Sequence, residues 1–228
     1  VITKLIEQQL SYPAARTYRE HKSLFIIIFS CVVFFIAELI LGGGALSAKM
    51  GLIPAEFIMA GKNLLAQDPG LQNISELFTL IGTIFMHGNL QHILYNMAFL
   101  WMFGYLVIEI CGQKSFLFVF LLTGMMGAMA HCALNQDSIV PLIGASGSIA
   151  GLQGAYFLMA LKWHLPQADV WPISRPVSPD NLLIFSAIGL GFDFYSLMNH
   201  AATNVAYAAH IGGFISGALL GLFVLRRY

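Results

Sequence analysis

From Leu24 to Leu41 the chain runs eighteen residues with a single charged side chain, Glu38. A helix of about 20 apolar residues crosses the ~30 Å hydrocarbon core of a bilayer. Five further stretches read as spans of the same kind: His92–Ile110, Ser115–Leu134, Ser146–Leu161, Leu182–Met198 and Ala206–Leu225. Gly42-Gly43-Gly44, Pro141 and the proline-rich stretch Pro166–Pro179 punctuate the gaps between them. Composition agrees. Hydrophobic residues make up 58% of the chain, charged residues 10%, and the mean hydropathy is +0.77, whereas a soluble domain carries roughly 25% charged residues. The expected fold class is an all-α polytopic membrane protein with six transmembrane helices. Formal net charge is zero, which gives no footing for nucleic-acid binding. Cys31, Cys111 and Cys132 lie in or beside apolar runs without metal-ligand spacing and read as packing residues. No metal or other cofactor is expected.

Lys and Arg placement sets the expected orientation. Lys4, Arg16, Arg19 and Lys22 precede the first span, Lys114 separates the second and third, Lys162 and Arg175 separate the fourth and fifth, and Arg226 and Arg227 follow the sixth. Only Lys49 and Lys62 fall on the opposite side. Both termini therefore read as cytoplasmic, an arrangement that needs an even number of spans. The asymmetry suits a bacterial inner membrane. Residues 1–22 show no cleavable signal peptide and read as a cytoplasmic N-terminal segment, with 23–228 as the membrane domain.

The first outer loop, Gly42 to Met86, is too long for a bare connection. Ala55–Gln67 and Ile74–Phe85 mix apolar and polar residues at helical spacing, which predicts interfacial or partly embedded helices within it. The fourth span is short. Sixteen residues at 1.5 Å rise reach about 24 Å, so its start should lie below the outer surface. Irregular backbone at that depth is tolerated only where it lines protein or a water-filled cavity.

Ser146 opens that span, in Gly144-Ala145-Ser146-Gly147-Ser148-Ile149-Ala150-Gly151. Serine needs a base to become a useful nucleophile, and His210, in Ala209-His210-Ile211-Gly212-Gly213 of the sixth span, is the best candidate. Gly147 and Gly151 on the fourth span, and Gly213, Gly217 and Gly221 on the sixth, recur every four residues. Such small-residue faces let helix backbones approach closely. If they meet, Ser146 and His210 come together at the outer end. His92 and Asn96 are four apart at the start of the second span and share one face. With the Ser146 backbone N–H they would supply donors for the oxyanion of an acyl transfer. His87, just before that span, is expected to brace the loop.

Taken together these residues resemble the rhomboid intramembrane serine proteases. The match covers about 140 residues and includes His87, His92 and Asn96, the Gly144–Gly147 run with Gly151 and Gly154, and the Ala209–Gly213 run with Gly217 and Gly221. The resemblance implies a six-helix rhomboid-like bundle with a long, partly helical outer first loop. It implies a Ser146–His210 dyad without an acid and an oxyanion hole using His92 and Asn96. Substrates would be single-span membrane proteins met within the lipid bilayer, with no cofactor. The chain departs from the family at three places. Phe78-Thr79 stands where the outer loop usually carries Trp-Arg. The Glu–three residues–Gly turn after the second span is one residue short, at Glu109 and Gly112. Ala150 replaces an aromatic residue that packs on the histidine, leaving Tyr207 and Phe214, one turn either side of His210, as candidates for its place.

Asp193 and Glu38 are acids within spans. Asp193 could in principle complete a triad with His210, but a structural hydrogen bond is the expectation for it, since the resembled family uses no acid, and Glu38 is assigned no role. His131 and His200 are placed at the interface. A catalytically inactive rhomboid-like binder of membrane proteins is the alternative reading, and a small transporter would show inverted repeats, which the sequence lacks.

Overall fold

The computed structural model describes residues 20–67, 70–163, 165, 167–170, 177–199 and 205–226. Lys4, Arg16, Arg19, Arg175, His200 and Arg227 lie outside the described residues, as does most of the N-terminal segment. The described residues are helical with two isolated bridges, Leu52 with Leu142 and Ala168 with Val177.

The helices are α1 (Lys22–Leu41), α2 (Ala45–Met50), α3 (Pro54–Leu65), α4 (Leu71–Phe85), α5 (Leu90–Leu134), α6 (Ser146–Trp163), α7 (Pro179–Met198) and α8 (Tyr207–Phe223). Three of them, α1, α5 and α7, are long and apolar enough to cross a membrane, and α8 is a shorter apolar helix. Between α1 and α5 the chain forms the short α2, then α3 over most of Ala55–Gln67 and α4 over Ile74–Phe85.

At 45 residues α5 would reach about 68 Å if straight, more than twice the hydrocarbon core. It does not run straight. Gly112 has φ 80° and ψ 167°, a backbone conformation that residues with a Cβ rarely adopt. The helix folds back there: a methyl on Gly104 would sit 2.9 Å from both the Phe116 ring and Leu24. One glycine thus replaces the loop expected between the second and third apolar stretches. The turn is tied to α1, whose Ser23 N–H donates to Gln113 Oε1 at 2.9 Å.

Helices α5, α6 and α8 form the centre, with α1 against α5 and α7 against α8. Phe103, Phe116, Phe120, Leu152, Tyr156 and Met159 are fully buried between α5 and α6. The outside is as apolar as the inside. Phe29 and Ile40 of α1, Ile188 and Phe192 of α7, and Leu219 and Phe223 of α8 are all exposed. Helices apolar on every face need an apolar surround.

The intramembrane acid of α1 has a partner. Gly42, Gly43 and Gly44, all at positive φ, turn the chain back so that Glu38 Oε2 accepts from the N–H groups of Leu46 (2.9 Å) and Ser47 (3.1 Å). These are orphan donors at the start of α2, and a carboxylate suits that end of a helix.

Candidate active site

The segment before Ser146 is clamped on two sides. Leu142 exchanges both backbone hydrogen bonds with Leu52, at 3.1 and 2.8 Å, and Gly144 N–H donates to the Thr83 carbonyl at 2.9 Å. The Thr83 hydroxyl donates to the Leu142 carbonyl. Gly144 has φ +124°, and a methyl there would press on the His92 ring, 2.8 Å from Nε2. The chain then enters α6 at Ser146. The first bond of the helix runs from Ile149 N–H to the Ala145 carbonyl at 3.0 Å. The N–H groups before Ile149 therefore have no partner within the helix and lie at its positive end.

Helices α6 and α8 meet on their glycine faces. A methyl on Gly213 would collide with the Gly147 carbonyl, and one on Gly217 with the Gly151 carbonyl. On Gly221 it would meet Ala155, and on Gly154 the Phe214 carbonyl. Backbone lies against backbone along the whole seam, because nothing larger than hydrogen intervenes. At its top, His210 Nε2 stands 2.8 Å from Ser146 Oγ. Both residues are half-buried, open enough for a reactant to reach them.

His92 is half-buried and Asn96 is buried. Asn89 caps the first limb of α5, its Oδ1 accepting the His92 N–H at 2.8 Å, and Asn96 Nδ2 donates to the His92 carbonyl at 3.0 Å. One amide hydrogen of Asn96 is thus used within its own helix. The His92 ring lies against Gly144, two residues before Ser146. His87 is fully buried. Its Nδ1 is 3.2 Å from the Phe85 carbonyl, and its ring packs edge-on against His92 with centroids 5.1 Å apart.

Burial first, then the neighbouring His92, pushes His87 from 6.5 down to about 4. The folded chain thus keeps His87 neutral at pH values where an unfolded chain would protonate it. Its contribution to stability is complete above about pH 6.5 and is lost as the pH falls toward about 4, by no more than about 1.4 kcal/mol per pH unit. Thermal unfolding in detergent at pH 7.5 and pH 5.0 should show a larger acid loss for the wild type than for His87→Gln. Equal losses would refute this.

The ring of His210 has a second polar neighbour, on α7. Asp193 Oδ2 lies 3.1 Å from His210 Nδ1, each side chain about one-fifth exposed (19% and 20%). Sequence reasoning set Asp193 aside. The signal was present, since a carboxylate within a span needs a partner, but its rotation toward α8 is tertiary information. The two aromatic candidates pack elsewhere: Phe214 against Phe157 and Tyr207 against Phe192, with centroids 5.9 and 6.4 Å apart. Cys31, Cys111 and Cys132 are buried free thiols. Among the described residues no group of three or more His, Cys, Asp or Glu side chains could hold a metal.

The family model of the Rhomboid domain matches residues 74–227, a stretch that contains Ser146, His210, His92 and Asn96. The chain belongs to the rhomboid family. With its apolar helices, this makes it an integral membrane protein. It is 29% identical over 223 residues to Rhomboid protease GluP of Bacillus subtilis, covering 95% of this chain and 38% of that protein. Over 202 residues it is 28% identical to Rhomboid-like protease 2 of Toxoplasma gondii, covering 88% of this chain and 65% of that one. It is also 26% identical over 163 residues to Rhomboid protein 1, mitochondrial, of Saccharomyces cerevisiae, covering 67% and 43%. The chain thus spans between 38% and 65% of the length of these rhomboid relatives.

Proposed function

We propose that this rhomboid chain is an intramembrane serine endopeptidase, with Ser146 as nucleophile and His210 as general base. The observation that carries the reading is the 2.8 Å approach of Ser146 Oγ to His210 Nε2, within the range for proton transfer. Ser146 Oγ adds to a substrate carbonyl carbon while its proton passes to Nε2. The carbonyl pair moves to oxygen, facing the Ser146 N–H, His92 and Asn96 as oxyanion donors. Collapse breaks the C–N bond, the Nε2 proton goes to the leaving amine, and an acyl-enzyme remains. Water then repeats the sequence and releases the acid.

The domain 23–228 crosses the bilayer six times with both termini cytoplasmic, α5 accounting for two crossings through its fold at Gly112. An inner bacterial membrane suits this orientation. With 18 residues, α6 reaches about 27 Å, so Ser146 lies below the surface opposite the termini. The substrates are single-span membrane proteins that present a backbone carbonyl at that depth. The reaction as written draws on groups of this chain and water alone.

A fluorophosphonate reagent tests the nucleophile without knowledge of the substrate. Purified wild-type chain should acquire one adduct at Ser146, located by mass spectrometry of its peptides, and His210→Ala should slow labelling at least tenfold. Folded wild type that stays unlabelled at Ser146 would leave the inactive binder as the better reading.

A further inference from the structure

His210 touches two polar groups across its ring. Nε2 faces Ser146 Oγ at 2.8 Å and Nδ1 faces Asp193 Oδ2 at 3.1 Å. We infer that Asp193 is a positioning residue for the proposed reaction, fixing both the tautomer and the orientation of His210. The inference rests on the reading of Ser146 and His210 as nucleophile and base, and goes beyond it by giving the base a second, orienting partner.

A neutral imidazole carries one N–H, and the partner of one nitrogen decides which nitrogen bears it. A carboxylate accepts hydrogen bonds and cannot donate. Asp193 therefore draws the proton to Nδ1 and leaves the Nε2 lone pair to accept from the Ser146 hydroxyl. In the opposite tautomer Nε2 would carry hydrogen and could not take the serine proton. When Nε2 does take it, the ring becomes a cation with a carboxylate 3.1 Å away, in surroundings that screen the pair less than water does.

The placement of Asp193 on α7 has no packing explanation. Leu182, Ser186 and Ser196 are the buried residues of that helix, while Ile184, Ile188, Phe192 and Phe194 project outward. A carboxylate among them is costly in a bilayer unless a partner offsets it. Glu38, an acid in the apolar helix α1, is occupied by two backbone N–H groups. Asp193 instead meets the ring that contacts the nucleophile. Phe214 and Tyr207, one turn either side of His210, make their ring contacts with Phe157 and Phe192, so Asp193 is the group that holds the imidazole opposite Ser146.

The test is steady-state cleavage of a fluorescently labelled single-span substrate by the purified full chain. Wild type, Ser146→Ala, Asp193→Asn and Asp193→Glu are compared, with folding of each checked by thermal unfolding. Asp193→Asn should lower kcat 10- to 100-fold with KM within about twofold, because an amide can present either its oxygen or its NH2 to Nδ1. Asp193→Glu, which restores an acceptor-only group, should regain at least threefold over the Asn variant. Wild-type kcat in the Asn variant overturns the inference. So does a Glu variant no better than Asn, or a loss of rate matched by an equal loss of folded protein. Wild type without any cleavage would reject the protease reading itself. Wild type active, Ser146→Ala inert and Asp193→Asn unimpaired would remove only the role of Asp193.

Discussion

Ser146→Ala should lower turnover of a labelled single-span substrate at least about 1,000-fold while leaving its binding nearly unchanged. The magnitude follows from the chemistry. Without Oγ no acyl-enzyme forms, and what remains is the slow attack of water helped by the oxyanion donors. The nearest hydroxyl in sequence, that of Ser148, is turned away. Ser148 lies two residues on, about 200° round the helix. Its hydroxyl is buried toward α5, where a methyl on Gly124 would collide with it. Ser148→Ala is accordingly the control and should keep turnover within about threefold. Cleavage at the wild-type rate by the Ser146 variant would exclude serine catalysis at this position.

Gly217→Leu should cost about 3 kcal/mol or more and leave most of the protein unable to reach the native state in detergent. Its side chain would have to enter the space held by the Gly151 carbonyl. Main chain held in a helix cannot give way as a flexible side chain can. The matched control is Gly61→Ala in α3, where an added methyl meets nothing within 4 Å. That substitution should be neutral or gain up to about 1 kcal/mol from helix propensity. Unfolding followed by tryptophan fluorescence distinguishes the two. Equal stability of the Gly217 and Gly61 variants would mean that α6 and α8 do not pack as closely as described.

The apolar runs could be read as helices because each must satisfy its own backbone and advertises itself by length. The helix beginning at Leu182 in the sequence reading begins at Pro179, and that read from His92 begins at Leu90, differences of a turn or less. The pairing of the Gly147–Gly151 and Gly213–Gly221 faces was legible for a related reason. A stripe of residues without side chains on a lipid-embedded helix has few uses other than close approach. The fold-back at Gly112 was marked by composition only as a break, since fusion of two helices through one residue at positive φ depends on angles that no hydropathy pattern carries.

Asp193 and Glu38 illustrate the limit more sharply. Each is the single acid of its apolar stretch, Leu182–Met198 and Leu24–Leu41, and the two are identical in kind to a sequence reader. One caps a six-residue helix reached through three glycines, and the other reaches a histidine on the next helix. Their difference lies in helix rotation and in how the chain re-enters the bundle. Likewise the clamp on the segment before Ser146, made by Leu52 and Thr83, joins positions about 60 to 90 residues apart in sequence, and neither residue type announces it.

The glycine seam also governs how the site responds to its surroundings. Membranes differ in thickness by a few ångströms, and spanning helices answer by tilting. With carbonyls of α6 lying against glycines of α8 along the whole contact, and Lys162 Nζ bonded to the Leu222 carbonyl at the far end (2.8 Å), those two helices tilt as one body. Ser146 and His210 thus behave like the jaws of a locked caliper, whose gap is set by backbone contact and not by lipid. Asp193 rides outside that frame, on a helix with three buried residues. Of the two groups that face the imidazole ring, it is the one outside the seam.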